Sequence, residues 1–137
     1  MKMKEMTTYD FFGPMELTKA EIEWFHSIVK KCKDATGCTV DIIAYDHDLY
    51  SGKSKNALGC CVTTDPENPL NGDSYITIDT WFIHEKYQVE FDDFPAIEKS
   101  TIEDTIAHEI AHLYCWRHGK KHNRITAELM EKIQDAA

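Results

Sequence analysis

A chain of 137 residues suits one compact domain and leaves little room for a second. Its content of 42% hydrophobic, 28% charged and 11% aromatic residues is that of a packed globular protein and excludes a disordered chain. The formal charge of −9 argues against autonomous nucleic-acid binding, because a protein that grips phosphates presents a basic face.

No apolar run suits a signal peptide, and none reaches the roughly 18 residues of a membrane span. The five cysteines are odd in number and contain no CxxC pair, so they read as reduced thiols. The expectation is a single cytoplasmic domain over residues 1–137 with no membrane partner.

Residues 1–16 read as an irregular lead-in, with a short extended piece near residues 8–12. A helix follows. Thr18 and Glu21 have the spacing of a capping box, in which each side chain satisfies an orphan backbone N–H. Ile22, Phe25, Ile28, Val29 and Cys32 then recur at helical spacing, and Gly37 is a natural stop. Three segments rich in β-branched and aromatic residues predict strands at 39–45, 57–64 and 74–80. In the third, Ile76 and Ile78 alternate with Tyr75, Thr77 and Asp79, as expected of a mainly antiparallel sheet with one face on the core. The loop 65–73 is marked by its turn residues.

Residues 81–99 mix aromatics with acids and contain Pro95, which predicts an irregular excursion with a helical turn near 83–87. A second helix is predicted from Ser100 to about His118, capped by Ser100 and Glu103 and stopped at Gly119. A last helix is predicted over 126–135. The order of helix, three strands and two helices is α+β.

The chemistry is concentrated in the second helix. His108-Glu109-Ile110-Ala111-His112 is an HExxH motif. Residues four apart lie one above the other on a helix, so His108 and His112 can converge on one ion. Glu109, turned partly round the helix, can reach a metal-bound water. Ile102, Ile106, Ile110 and Leu113 form an apolar stripe on nearly the opposite face. One side packs while the other looks into a cleft. A catalytic zinc takes a third protein ligand and keeps an open position. Spacing leaves the third ligand open between His118, His122 and a glutamate of the last helix, Glu131 ahead of Glu128. A glycine that would turn the chain sharply toward His118 is replaced by Cys115.

The segment HEIAHLYCWRHGKKHN resembles the active-site segment of the SprT-like (Spartan-type) zinc metallopeptidases. That family combines HExxH, an apolar stretch, a glycine and a later histidine at the head of the next helix, often followed by Gly or Asn. His122-Asn123 matches the last element, and SYITID before the HExxH helix matches the family's strand order. The similarity covers roughly residues 57–135 and is strong at 102–123. It implies a minimal zincin-like domain, a Zn²⁺ ion on His108, His112 and His122, Glu109 as general base, and a protein or peptide substrate. It does not extend to the DNA-directing segments of some relatives.

Zinc would acidify its water and polarise the scissile carbonyl, and Glu109 would move the proton. Tyr114, Arg117 and Lys121 are candidate oxyanion donors. Strand 74–79, if it lies at the sheet edge, could receive an extended substrate by strand addition. The alternative reading is a metal-stabilised protein-binding module without turnover. Asp46-His47-Asp48 reads as a solvated turn rather than a cation site, Glu90–Asp93 as an exposed loop, and Cys115 as a buried structural thiol. Of Cys60 and Cys61 one thiol is expected in the core and one out, His26 and His84 are expected to be ordinary surface or partly packed residues, and Trp24, Trp81 and Trp116 to be core or cleft-wall aromatics.

Overall fold

The computed structural model describes residues 16–96 and 98–136. The predicted lead-in and its extended piece lie outside them, Glu16 excepted. Helix α1 (Lys19–Thr36) begins where the sequence places it: Thr18 Oγ1 accepts from the Glu21 N–H, and Glu21 accepts from the Thr18 N–H. It ends at Gly37, whose φ of +73° is the left-handed turn that a side chain resists. Phe25, Ile28, Val29 and Cys32 are buried as the periodicity requires.

Strands β1 (Asp41–Tyr45), β2 (Gly59–Thr63) and β3 (Ser74–Asp79) form one sheet in the order β1-β3-β2. β1 runs parallel to β3 and β2 antiparallel to it. The sheet is therefore mixed rather than mainly antiparallel, and β3 is central rather than an edge. The parallel pairing arises because the connection from β1 to β3 passes through β2 at the far side of the sheet.

Both faces of the sheet are covered. Register places Ile42, Ala44, Ile76 and Ile78 on the face that joins the main core with the helices. Ile43, Thr77 and Cys60 share the other face, which lies under a pair of 3-10 turns, His47–Leu49 and Gly52–Asn56. The one-sided sheet expected from alternation fails here because Thr77 is fully buried. Its hydroxyl donates to His47 Nε2 at 2.8 Å. His47 Nδ1–H donates to the Ala57 carbonyl at 2.6 Å, and its main-chain N–H to Asp79 Oδ1 at 2.9 Å. The Asp46-His47-Asp48 stretch is thus no solvated turn: Asp46 and His47 are fully buried. Burial holds the imidazole of His47 below its usual pKa and neutral. The neutral ring pins the loop after β1 to the start of β2.

Helix α2 (Thr80–Phe91) replaces the predicted irregular excursion. Its Trp, Phe, Ile, Tyr and Val residues are mediocre helix formers, so local propensity conceals it. Packing overrides propensity. Phe82 and Ile83 are buried, and Trp24 of α1 meets Tyr87 and Phe91 edge-on at 5.5 and 6.1 Å. His84 Nδ1 approaches buried Glu21 Oε2 at 2.6 Å, which fastens α2 to the capped end of α1. Trp81 is neither core nor cleft wall but exposed. The helix stops before Asp93, at φ +56°, and Pro95 follows. Glu90–Asp93 forms the exposed end of this helix.

Helix α3 (Ile102–Ala111) is capped one residue later than predicted, by Thr101 and Asp104. Its stripe of Ile102, Ile106, Ile110 and Leu113 is buried as expected. It ends seven residues earlier than the predicted stop at His118. Helix α4 (Lys120–Asp135) starts earlier than predicted, with Gly119 at its entry rather than as the stop of α3. Among the described residues no helix is long and apolar enough to cross a membrane.

Gly59 sets how closely α3 approaches the sheet. A Cβ at this position would lie 2.8 Å from Thr105 Cγ2 and 3.0 Å from Glu109 Cγ. Gly59→Ala is therefore expected to destabilise the fold by about 1–3 kcal/mol, the usual cost of overpacking. Urea unfolding measures it, and an unchanged midpoint would show that α3 can step back freely.

Candidate metal centre

Helix pitch alone stacks His108 above His112, and their rings lie 5.0 Å apart. The end of α3 does the rest. Its last turn tightens, with the N–H groups of His112, Leu113 and Tyr114 reaching the carbonyls of Glu109, Ile110 and Ala111. The chain reverses there without a glycine and leads residues 115–119 back across the helix end. Gly119, at φ +153°, then turns it into α4.

This path brings four imidazoles together. One ring nitrogen each from His108, His112, His118 and His122 lies within 4.8 Å of the others. The sequence held His118 and His122 as rivals for the third position, and the structure brings both into the group. Glu128 and Glu131 are exposed on α4 and lie outside it. His122 sits in the first turn of α4, not before it.

The hydrogen bonds assign the free lone pairs. His112 Nδ1–H donates to the Trp116 carbonyl at 2.8 Å, so Nε2 faces the group as an acceptor. His122 Nε2–H donates to the main-chain carbonyl of His108 at 3.0 Å. Its Nδ1 is buried with no hydrogen-bond partner. A buried, unpartnered nitrogen aimed at three other imidazoles is what a cation ligand requires, and ligating histidines commonly anchor their second nitrogen in this way. His108 Nε2 and His118 Nε2 are 3.2 Å apart. The four histidines can bind a metal ion.

Electrostatics favours uncharged ligands. Burial, then the neighbouring imidazoles, push His108 down to about 4. Burial and the same neighbours push His112 down to about 4 as well. Burial also lowers His122. Metal binding needs neutral imidazole, and the rings of His108 and His112 are neutral well below pH 7. Glu109 is shifted the other way. Burial raises it to about 7, against a main-chain hydrogen bond from Cys61 that lowers it. Its Oε2 lies 4.0 Å from His108 Nε2.

Glu109 opens into a cleft of about 790 Å³ between α3, the 116–118 segment and β2. The ladder phase shows which way β2 points. Asp79 N–H reaches the Leu58 carbonyl and Thr64 N–H the Asp73 carbonyl, so the even-numbered residues pair with β3. Gly59, Cys61 and Thr63 turn their main-chain groups to the outer edge, toward the cleft. Sequence reasoning missed this edge. Its signal was the glycine opening a strand at a point where a helix comes close.

The remaining candidates fall into place around the cleft. Of Tyr114, Arg117 and Lys121, only Arg117 borders the cleft holding Glu109. Trp116 walls it, and Trp24 packs on α2 instead. Cys115 is half-buried, its thiol donating to the Arg117 carbonyl at 3.4 Å, and is not among the metal-ligating group. Register turns Cys61 toward the helices and Cys60 toward the opposite, also covered, face, so both are half-buried rather than one in the core and one out. No family model, curated protein or solved structure matches the chain.

The shifts fix the pH response of the metal-free protein. His108 and His112 fall from 6.5 to about 4, so between those values the unfolded chain binds more protons and stability rises with pH. Glu109 rises from 4.5 to about 7, so its contribution is complete below 4.5 and is lost as pH climbs to 7. Two groups against one give a net gain in stability from pH 4.5 to 6.5. Glu109→Gln removes the opposing component. In chelator, the variant is expected to exceed wild type by up to roughly 3 kcal/mol at pH 8, with the gap closing near pH 4.5. Urea unfolding across this range measures it, and a pH-independent gap would refute the buried-carboxyl account.

Proposed function

We propose that this chain is a zinc-dependent metallopeptidase of the SprT-like kind, with His108, His112 and His122 as ligands and Glu109 as general base. The observation that carries the reading is the orphaned Nδ1 of buried His122, which meets the two HExxH imidazoles beside a carboxyl tuned to near-neutral pH. The order of strand, HExxH helix and histidine-bearing last helix is the one that the resemblance implies. Imidazole donors suit zinc, though copper, iron and nickel also accept them.

When bound, zinc would supply a water acidified toward a pKa of about 7 and polarise the scissile carbonyl. The chain's own groups do the rest. Glu109 takes a proton from the attacking water as the new C–O bond forms. It returns that proton to the amine nitrogen as the C–N bond breaks. Burial raises this carboxyl toward the range in which it can both take up and release a proton, and a bound cation would draw it back toward the ionised form. The outward main-chain groups of β2 other than the Cys61 N–H, which Glu109 already accepts from, would hold an extended peptide by strand addition, the role first considered for β3. Arg117, on the facing wall, is placed to donate to the carbonyl oxygen.

A second reading, a metal-stabilised protein-binding module without turnover, is favoured by the fourth imidazole, since structural sites fill all four positions. One experiment separates the two. Wild type, Glu109→Gln, His122→Ala and Glu131→Ala are purified, assayed for bound metal and incubated with unfolded casein. The peptidase reading expects Glu109→Gln to keep its zinc and to lose activity by at least about 100-fold. It expects His122→Ala to lose metal and Glu131→Ala to keep it. One equivalent of zinc in wild type with no cleavage would select the binding module.

A further inference from the structure

The three-ligand site leaves His118 without a role, although its ring lies with the other three. We propose that His118 is a displaceable fourth ligand: it closes the coordination sphere in the resting protein and is moved aside when an extended peptide seats on β2. The inference rests on the metallopeptidase reading for its consequence, but its geometry is independent of turnover.

Distance is the first argument. The corners of a tetrahedron with metal–nitrogen bonds of about 2.0–2.1 Å are about 3.3–3.4 Å apart. His108 Nε2 and His118 Nε2 are 3.2 Å apart, close to that edge. His118 also lies 4.7 Å from His112 and 5.2 Å from His122, ring centre to ring centre. It is therefore a member of the cluster rather than a neighbour of one ligand.

Anchoring is the second. His112 is locked by the Trp116 carbonyl and His122 by the His108 carbonyl. Both rings are buried. His118 is exposed, and its ring hydrogen-bonds only to His108 among the described residues. It rides on the irregular link between α3 and α4 rather than on a helix. Gly119 follows it at φ +153°, with open space around the position a Cβ would take. A glycine there lets the link swing at little steric cost. His108 and His122 are thus built into helices and His112 caps α3, while His118 is carried by the link between them.

Position is the third. Trp116, Arg117 and His118 form the cleft wall opposite Cys61 and Thr63 of β2. A strand added to that outer edge enters between β2 and this wall. His118 and Glu109 both line the cleft that it would enter. Substrate seating and the departure of His118 would then be one event, which would open a position for solvent when a peptide is present.

Cobalt(II) loading gives a test that does not depend on turnover. Wild type, His118→Ala and His118→Gln each receive one equivalent, and azide is titrated while the visible spectrum is followed. If His118 fills the position in about nine molecules of ten, azide should bind both variants about tenfold more tightly than wild type. In the Glu109→Gln background, unfolded casein should shift the spectrum of the four-histidine site toward that of the His118 variants. Equal azide affinity in all three proteins overturns the proposal, as does loss of cobalt from both His118 variants while His122→Ala retains it. An azide difference together with failure of wild type to cleave casein would leave the fourth ligand standing and remove the peptidase. A wild type that takes up no cobalt would remove both.

Discussion

The hydrogen bond from His122 Nε2 to the main-chain carbonyl of His108 is the interaction on which the site depends. The last four carbonyls of a helix have no partner within it, and that of His108 belongs to the last turn of α3. Most helices leave such groups to water or a terminal glycine. Here the acceptor is used to dock a second helix. The bond fixes the tautomer of His122, turns its Nδ1 toward His108 and His112, and sets the depth at which α4 begins. It also explains why the ring is buried yet incompletely satisfied. A neutral imidazole has one donor and one acceptor. The donor is spent on the carbonyl, and the acceptor is left for an ion.

The charge balance of the cluster follows from that arrangement. Four imidazoles so close together cannot all be protonated, and the depressed values of His108 and His112 express this. Glu109 does not compensate by ionising, because it is itself buried and raised toward 7. The metal-free site is thus a polar pocket in which His108 and His112 are neutral and the buried Nδ1 of His122 has no hydrogen-bond partner. Such a pocket costs stability in the apo state. A divalent cation removes that cost twice over. It partners the nitrogens, and its charge favours the ionised form of the adjacent carboxyl.

Much of this was legible in residues 18–21 and 100–123, and the reasons are local. HExxH spacing, the apolar stripe of α3 and the Thr18–Glu21 cap all depend on positions within one or two helical turns. The structure reproduces them. What was not legible depends on distant partners. α2 was hidden because aromatic packing against Trp24, rather than propensity, makes it a helix. His47 looked solvated because its neighbours in sequence are acidic, whereas the groups that bury it, Ala57 and Thr77, lie ten and thirty residues away. The central position of β3 was hidden for the same reason, since strand order is a property of pairing. The absence of glycine at Cys115 weighed against His118, but a tightened last turn in α3 reverses the chain just as well. Choosing one rival for the third position missed that both could arrive.

The sheet and the helices impose one further condition on each other. α3 can lie close enough to β2 for Glu109 to reach the Cys61 N–H only because position 59 has no side chain. That contact places the carboxyl at the outer edge of β2, where the odd-numbered main-chain groups point away from β3. An extended chain paired there would run past Glu109 and the imidazoles with its backbone, not its side chains, in register. Recognition by main-chain hydrogen bonds tolerates many sequences. Selectivity then falls to the walls, and the wall opposite β2 is the link that carries His118. If the site acts on peptides as proposed, it would discriminate by whether a segment is unfolded enough to enter as a strand. On the proposed reading, the fold would couple the shape of what enters to the state of a bound metal through His118, which rides on the link between α3 and α4.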